Sequence, residues 1–294
     1  MVKANMKPKV SVVIPFYAGA EWLKQAIESV YEGTYDSFEV IVVNDGSEED
    51  IEPILKMFDD RIVYIKQQNS GPAVARNKGI EVAQGKYVAF LDSDDYWEKE
   101  KLELQVQLME EQGVVWSHTA YANFEDGTDN HKRIDVSHIR GDIYPWCMYS
   151  NRIATPCVIV KTQVLKETGF GFESDMRFGQ DAILWFRLAS LFEIGLVDDC
   201  LAHVRKNGSN VSQNVKIQLL ARGQLWRKIK CFDKECLEKV RGIGRLSYIW
   251  CEFVSRPMKA AAKEATTPIS KLLSIIFYAP AYIGFKLASK KWGR

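Results

Sequence analysis

Apolar and polar residues form two kinds of segment in the first part of the chain. Short β-branched runs that end in polar, Gly or Pro residues predict buried strands. These predicted strands span 9–16, 38–47, 61–67 and 86–95. Between them, apolar residues recur at helical spacing and predict helices at 21–31, 49–58, 71–85 (ending at Gly85) and 100–113. This alternation predicts an α/β fold with a mostly parallel sheet flanked by helices.

Three polar stretches lie at the carboxyl ends of three of the predicted strands. They are "IPFYAG" (14–19), "NDGS" (44–47) and "DSDD" (92–95). In open parallel sheets, ligands bind beyond the carboxyl ends of the strands. We therefore expect these stretches to lie close together and to form a site.

The middle of the chain is less regular. A strand is predicted at 113–124, and the polar stretch that follows it predicts a surface loop at 125–144. A strand and the start of a helix are predicted within 155–165. An amphipathic helix is predicted at 179–192, with apolar residues along one side. These residues are Ile183, Leu184, Leu188 and Leu191.

The last third of the chain changes character and reads as helical and basic. Residues 216–294 carry 17 Lys/Arg and 5 Asp/Glu, a net charge of +12, whereas residues 1–215 carry a net charge of −11. We therefore predict one domain at 1–213 and a helical, basic C-terminal region at 214–294. A basic region of this kind is typical of contact with a polyanion or an anionic membrane.

An apolar stretch of 14 residues lies near the end of this region, from Leu272 to Phe285. It is shorter than the roughly 20 residues that cross a bilayer, and Pro280 interrupts it. Flanking lysines and Trp292 favour peripheral membrane contact through 269–294. The alternative is that the segment forms the core of a small helical bundle.

Composition narrows the class of protein. The chain has 294 residues, 47% of them hydrophobic and 26% charged, which excludes a disordered protein. Its six cysteines show neither a CxxC pair nor a zinc-site spacing, and no signal-peptide pattern precedes the first strand. We expect free thiols and a cytoplasmic location, on the inner face of the cell membrane, with no nucleic-acid partner.

The "DSDD" stretch offers the clearest candidate chemistry. Asp92 and Asp94 are two residues apart and share one side of an extended chain, so they can jointly bind a divalent cation through hard oxygen ligands. A polar turn is the alternative, and for an isolated DxD it is the commoner outcome.

The other candidates have structural alternatives of their own. Asp45 could accept hydrogen bonds from a base or a ribose, or could simply close a turn. Arg76 could contact phosphate if it faces the strand ends, or could pair with an acid. Asp181 could act as a general base, or could complement the dipole of its helix. His203 is expected to be a satisfied core or surface histidine.

In combination, five ordered motifs resemble those of family-2 glycosyltransferases with the GT-A fold. They are "VSVVIPFYAG", "VIVVNDGSEED", "GPAVARNKGI", "GKYVAFLDSDD" and "GQDAILWFRLA". The resemblance covers about residues 9–210 and leaves the C-terminal region uncovered. It implies transfer of one sugar, with inversion, from a nucleotide-diphospho-sugar (UDP-sugar favoured) to an acceptor hydroxyl of a glycan or lipid-linked saccharide.

The resemblance also implies residue roles. The nucleotide-sugar pocket would contain Pro15, Tyr17, Asp45, Arg76, Asp92 and Ser93. Asp94 would bind Mn²⁺ or Mg²⁺, Asp92 would share the metal or hold the ribose, and Asp181 would deprotonate the acceptor. Asp95 is expected only to lead the next helix.

Three positions depart from the family pattern. Ala18 replaces an asparagine of the nucleotide loop, and Gln180 replaces the usual Glu before Asp181. Asn207 stands where many members have a histidine, so no metal ligand is assigned there. The chain also lacks the Gln-x-x-Arg-Trp motif of processive synthases, which favours single-sugar transfer.

Two other classes of function predict different sequence features. A Rossmann dehydrogenase would show Gly-x-Gly-x-x-Gly after the first strand, and "IPFYAGAEW" does not match that pattern. A catalytically silent protein of the same fold that binds sugar nucleotides or acts as a scaffold would be expected to lack Asp92, Asp94 or Asp181, and all three are present. The silent protein remains the alternative.

Overall fold

The computed structural model describes most of the chain. It covers residues 7–128, 130–149, 152–176, 178–206, 215–231, 237–261 and 268–290, with backbone only for 215–219, 255–261 and 268–278. Asn207, Cys236, the predicted boundary near residue 213, and residues 291–294 lie outside this description. Contacts group the chain into two compact units. The first comprises 1–142, 152–174 and 192–207, and the second comprises 143–151, 175–191 and 208–294.

The first unit contains a nine-stranded mixed sheet within the described residues. Its strands are β1 (Val10–Phe16), β2 (Phe38–Asp45), β3 (Ile62–Gln67), β4 (Tyr87–Phe90), β5 (Tyr96–Trp97), β6 (Trp116–Phe124), β7 (Lys132–Ile134), β8 (Ile159–Lys161) and β9 (Ile194–Arg205). The strand order is β3-β2-β1-β4-β8-β6-β9-β5, and β7 pairs with β6. The predicted parallel half is confirmed, since β3, β2, β1 and β4 are parallel neighbours.

The central strands are buried along their whole length. Every residue of β1, β2 and β4 is buried, as expected for strands that are covered on both faces. Val10 of β1 lies beside Phe38 of β2 and Tyr87 of β4 in parallel register. The carboxyl ends of these three strands therefore meet at one edge of the sheet.

Five α-helices belong to the described part of the first unit. They are α1 (Ala20–Tyr31), α2 (Glu52–Leu55), α3 (Pro72–Val82), α4 (Lys101–Gln112) and α5 (Thr162–Thr168). The helix predicted at 49–58 is much shorter than expected, because Pro53 lies in its first turn and no helix can extend far upstream of it.

The predicted end of α3 at Gly85 is wrong. The helix ends at Val82, and Ala83 is already extended. Gly85 allows a close approach of two strands, because a side chain at this position would clash with the backbone nitrogen of Ser11. The Gly85 amide instead donates a 2.8 Å hydrogen bond to Ser11 Oγ, which ties the entry of β4 to β1.

The segment 125–144 is more ordered than a surface loop. It contains β7, and Val136 and Ile139 are fully buried. The Ile139 carbonyl lies 2.7 Å from Nε2 of the buried His118. Val136 and Ile139 stand between polar neighbours in "DVSHI", and buried side chains of this kind are too sparse to show a periodic pattern.

The second unit is helical in its described part. Its helices are α6 (Gln180–Leu191), α7 (Val215–Ile229), α8 (Gly242–Ala261) and α9 (Pro268–Lys290). Aromatic rings join three of them: Trp226 stacks on Tyr248, and Phe285 packs edge-on against Tyr248 at 4.7 Å. Helix α6 agrees with the prediction except at Leu191, which is exposed rather than buried.

None of the described helices is both long enough and apolar enough to cross a bilayer. Five cysteines, Cys147, Cys157, Cys200, Cys231 and Cys251, are free thiols, as expected.

Candidate active site

A cavity of about 460 Å³ opens at the carboxyl edge of the parallel strands. Every residue predicted for the nucleotide-sugar pocket and the metal lines it, all from the first unit. These are Pro15, Tyr17, Asp45, Arg76, Asp92, Ser93 and Asp94. The topology brings them together because β1, β2 and β4 end at this edge and α3 begins beside it.

Asp45 anchors the loop that leads into α3. Its Oδ1 accepts hydrogen bonds from Gln67 Nε2 and the Ser70 amide, and its Oδ2 accepts one from the Gly71 amide, each at 2.8 Å. Asp45 therefore does not close its own Asp-Gly-Ser turn, where the Ser47 amide donates instead to Asn44 Oδ1 at 2.7 Å. Because each carboxylate oxygen has two acceptor sites, Oδ2 keeps capacity for one further donor from the cavity.

Arg76 faces the strand ends rather than bulk solvent. Its Nη2 donates to Asp92 Oδ1, and its guanidinium lies 5.1 Å from the ring centre of Phe172. Nε of Arg76 is buried and has no hydrogen-bond partner in the described part of the chain. The arginine therefore brings a fixed positive charge to the cavity wall and partly neutralises Asp92.

Asp94 and Asp95 lie in a tight turn after β4. Burial, followed by the neighbouring charge of Asp92, raises the pKa of Asp94. Burial and the charges of Asp94 and Asp92 raise the pKa of Asp95 well above its usual value. Asp95 does not lead a helix as predicted, since α4 begins at Lys101. Its Oδ1 instead accepts a 2.8 Å hydrogen bond from the amide of Arg205.

Arg205, at the end of β9, is the second arginine that contacts this turn. Nε donates to the Asp94 carbonyl at 2.7 Å, Nη2 donates to Gln25 Oε1, and Nη1 pairs with Asp126. The guanidinium also lies 4.6 Å from the ring centre of Phe124. This buried side chain links α1, the acidic turn and the loop after β6.

The acidic turn offers the oxygen ligands that a hard divalent cation prefers. Within the described residues no three His, Cys, Asp or Glu side chains converge on one point. Asp92 and Asp94 supply two carboxylates, and burial followed by the charge of Asp92 raises the pKa of Asp94. Mg²⁺ and Mn²⁺ commonly bind through one or two carboxylates plus substrate phosphates, so the residues fit such an ion.

Asp181 lies in the first turn of α6, in the second unit. Its carboxylate is partly exposed, and its Oδ1 accepts a 2.9 Å hydrogen bond from the amide of Ala182. The helix-dipole role that the sequence left open is therefore present.

His203 is a satisfied core histidine, as expected. Its Nε2 lies 2.7 Å from Glu98 Oε1, its Nδ1 lies 3.0 Å from His131 Nδ1, and its ring stacks on Tyr96. It does not line the cavity.

Several residues of the site were not predicted from the sequence. Trp22 and Asn69 line the cavity, and Arg205 holds the acidic turn. A tryptophan within an amphipathic helix and an arginine at the end of a strand carry no local signal of such roles. Only the tertiary contacts reveal them.

The sheet order and the acidic strand end define a GT-A glycosyltransferase fold, and solved structures agree. The first 349 residues of TarS from S. aureus, solved with UDP-GlcNAc, match with a TM-score of 0.68 at 18% identity, covering 97% of this chain and 91% of that one. A mannosyltransferase from Pyrobaculum calidifontis, solved with GDP-Man and Mn²⁺, matches with a TM-score of 0.61 at 17% identity, covering 98% of this chain and 84% of that one.

The chain belongs to glycosyl transferase family 2, whose profile matches residues 11–171. An uncharacterized glycosyltransferase of Rickettsia bellii is 40% identical over 206 residues, covering 69% of this chain and 30% of the relative. The chain spans about a third of the length of this and similar Rickettsia relatives. The putative teichuronic acid biosynthesis glycosyltransferase TuaG of Bacillus subtilis is 36% identical, covering 71% of this chain and 84% of the relative.

The contacts of Arg205 predict a large effect of a conservative substitution. Lys in Arg205→Lys keeps the charge but cannot reach Asp94, Gln25 and Asp126 in the fork geometry of a guanidinium. We expect the free energy of unfolding, measured in urea, to fall by about 2 kcal/mol or more. The control is Arg133→Lys, whose exposed pair with Asp198 should contribute less than about 1 kcal/mol. Equal effects of the two substitutions would contradict the role of Arg205.

Proposed function

We propose that the protein is a non-processive, inverting glycosyltransferase that moves one sugar from a nucleotide-diphospho-sugar to an acceptor hydroxyl. One observation carries the proposal: in a chain of this family, Asp45, Arg76, Asp92 and Asp94 line a single cavity at the carboxyl edge of the sheet. Base, phosphate and metal contacts need donors and acceptors of these types.

A UDP-sugar is the favoured donor. TarS of S. aureus was solved with UDP and with UDP-GlcNAc, and the Pyrobaculum enzyme with GDP-Man. Pro15, Tyr17 and Ser93 would flank the nucleotide, and the open acceptor site of Asp45 Oδ2 suits an N–H donor of the base. Asp92, already paired with Arg76, would hold the ribose or share the metal.

Arg76 and the acidic turn would stabilise the leaving group. A divalent cation, Mn²⁺ or Mg²⁺, bound by Asp94 and shared with Asp92, would neutralise the charge that develops on the departing diphosphate. Arg76 contributes a fixed positive charge on the cavity wall. Arg205 keeps the Asp94 backbone in position through its hydrogen bond to the carbonyl.

Asp181 would be the general base. A carboxylate can accept the proton of the acceptor hydroxyl as that oxygen attacks the anomeric carbon from the face opposite the diphosphate, which inverts the centre. Gln180 stands beside it in place of an acid, so the residue before Asp181 carries no charge.

The acceptor would be a lipid-linked saccharide or another cell-surface glycan precursor. The similarity to TuaG, whose name refers to teichuronic acid biosynthesis, supports this class. The net charge of +12 on residues 216–294 supports peripheral contact with the inner face of the cell membrane through 269–294. A catalytically silent protein that binds sugar nucleotides is the second candidate.

Replacement of Asp94 tests the metal and donor site. We expect UDP or a UDP-sugar to raise the melting temperature of the native chain in the presence of Mn²⁺, because a ligand that binds only the folded state stabilises it. In Asp94→Asn the Mn²⁺-dependent part of that shift should disappear. The variant should not melt earlier without ligand, because a carboxylate whose pKa is raised in the folded state destabilises the fold at neutral pH.

The matched control for this experiment is Asp60→Asn, at an exposed position outside the cavity. It should keep the full Mn²⁺-dependent shift. A shift that survives in Asp94→Asn would contradict the metal role. If no nucleotide-sugar stabilises the native chain, the donor proposal fails.

Replacement of Asp181 separates an enzyme from a silent binding protein. Asp181→Asn removes the proton acceptor while keeping the size of the side chain. We expect the donor-induced thermal shift to persist and sugar transfer, or slow hydrolysis of the donor, to fall at least about a hundredfold. The exposed Glu167→Gln on α5 is the control. Unchanged turnover in Asp181→Asn would rule out its role as base, and a native chain without turnover would favour the silent protein.

A further inference from the structure

Helix α8 is apolar on two opposite sides. Tyr248, Cys251 and Val254 form the buried side. A second row of apolar residues recurs at intervals of three and four on the exposed side, where spacing of this kind places side chains on one face. This row consists of Ile243, Leu246, Ile249, Trp250 and Phe253. Leu246 is 65% exposed and Phe253 is 70% exposed, so the row is not part of the core of the unit.

Helix α9 extends this exposed surface. Tyr282, Ile283 and Leu287 are exposed on it, and Ile283 retains 55% of its accessible surface. The two rows adjoin at Gly284, where an added side chain would meet Ser247 and Ile243 of α8. We call the eight exposed side chains on the two helices the α8–α9 apolar face. Single exposed apolar side chains are common, whereas exposed apolar patches are typical of interaction surfaces.

Basic residues outnumber acids in the segments that carry this face. The described residues 237–254 and 279–290 contain five basic residues and two acids. The basic residues are Lys239, Arg241, Arg245, Lys286 and Lys290. Of the two acids, Glu252 pairs with Lys230 at 2.6 Å, and Glu238 precedes α8. Lys286 also lies 4.8 Å from the ring centre of Tyr282, within the face itself.

We propose that the α8–α9 apolar face docks the protein on an anionic lipid bilayer, with α8 supplying most of the inserted side chains. Apolar residues flanked by Lys and Arg are the composition of an interfacial helix that lies in the headgroup region. Negative lipid headgroups complement the five basic residues, and each basic residue near the surface adds to the attraction. Trp250 and Tyr282 have the amphipathic rings that favour this depth.

A second copy of the chain would fit this face less well. A two-fold interface places the same patch of both copies in contact. Lys286 and Lys290 of one copy would then face the same basic surface of the other, and like charges held together in a partly desolvated interface are unfavourable. A lipid surface carries the opposite charge and avoids this conflict.

The inference rests on the peripheral membrane contact proposed above, but not on sugar transfer. It also relocates the centre of that contact. The sequence pointed to 269–294 alone, whereas five of the eight side chains of the face belong to α8. Membrane binding should therefore depend on residues outside the segment that the sequence singled out.

Co-sedimentation with vesicles tests the proposal. The full chain is mixed with vesicles of phosphatidylcholine and phosphatidylglycerol, or of phosphatidylcholine alone, at low and high salt. We expect strong binding only to the anionic vesicles and weaker binding at high salt. In the double variant L246N/F253N we expect the partition coefficient to fall at least about tenfold, because two apolar side chains no longer leave water.

The control is Met57→Asn, which removes an equally exposed apolar side chain (59%) from the first unit. It should bind anionic vesicles as the native chain does. The positions are exposed, so both proteins should keep their native circular dichroism and melting temperature.

Three results would overturn the proposal. The first is unchanged vesicle binding by L246N/F253N. The second is a loss of binding on deletion of 269–294 that the double variant does not reproduce, which would assign the contact to α9 alone. The third is a native dimer in light scattering that the double variant converts to a monomer with vesicle binding unaffected, which would make the face an interface between copies.

The donor proposal is tested in the same samples by the thermal shift with UDP and Mn²⁺. L246N/F253N should keep the full shift, since its substitutions are remote from the cavity in sequence and belong to the other unit. A native chain that binds vesicles but shows no nucleotide response would leave the docking surface intact and contradict the donor proposal. The reverse result would contradict only the docking surface.

Discussion

The acidic turn after β4 is the constraint on which the first unit depends. Three carboxylates lie within four residues, and burial together with mutual repulsion raises the pKa of Asp94 and Asp95. Such a turn is stable only if opposite charge and hydrogen-bond donors surround it. Arg76 of α3 pairs with Asp92. Arg205, at the end of β9, donates to the Asp94 carbonyl through its side chain and to Asp95 through its backbone amide. A divalent cation bound by Asp92 and Asp94 would offset the repulsion between these carboxylates.

This arrangement joins distant parts of the sequence. Arg205 and Asp95 are 110 residues apart, and the short strand that follows the turn pairs with β9, with Tyr96 opposite His203. The turn is therefore fully supported only after β9 has joined β6 and β5. The parallel half of the sheet can position Asp45 and Arg76 by itself, since α3 follows β3 directly. The site thus has two sides. The first, with Asp45 and Arg76, is formed by the parallel half of the sheet, and the second, the acidic turn, depends on β9.

The sequence predicts the first side much better than the second. Buried β-branched runs end where the strands end, so the positions of Asp45, Asp92 and Asp94 follow from hydrophobic patterning and from the family motifs. Arg205 could be seen in the sequence, but its partners could not, because a hydrogen bond across 110 residues leaves no periodic trace. The same limit explains Asp95, whose position suggests a helix-leading acid until the contact with β9 is known. The predicted helix end at Gly85 is wrong because the sequence does not distinguish a glycine that permits close approach from one that ends a helix.

Helix α8 shows the same limit at the other end of the chain. A search for continuous apolar residues finds Leu272–Phe285 and passes over α8, because Arg245, Ser247 and Glu252 interrupt its sequence. On the helix, Ser247 and Glu252 do not interrupt the exposed row, since Ser247 is buried and Glu252 pairs with Lys230. One apolar side of α8 is used by Tyr248, which packs between Trp226 and Phe285. The other side leaves Leu246 and Phe253 in water at a cost in free energy, and a partner that is itself apolar and negatively charged removes that cost while matching the basic residues around it.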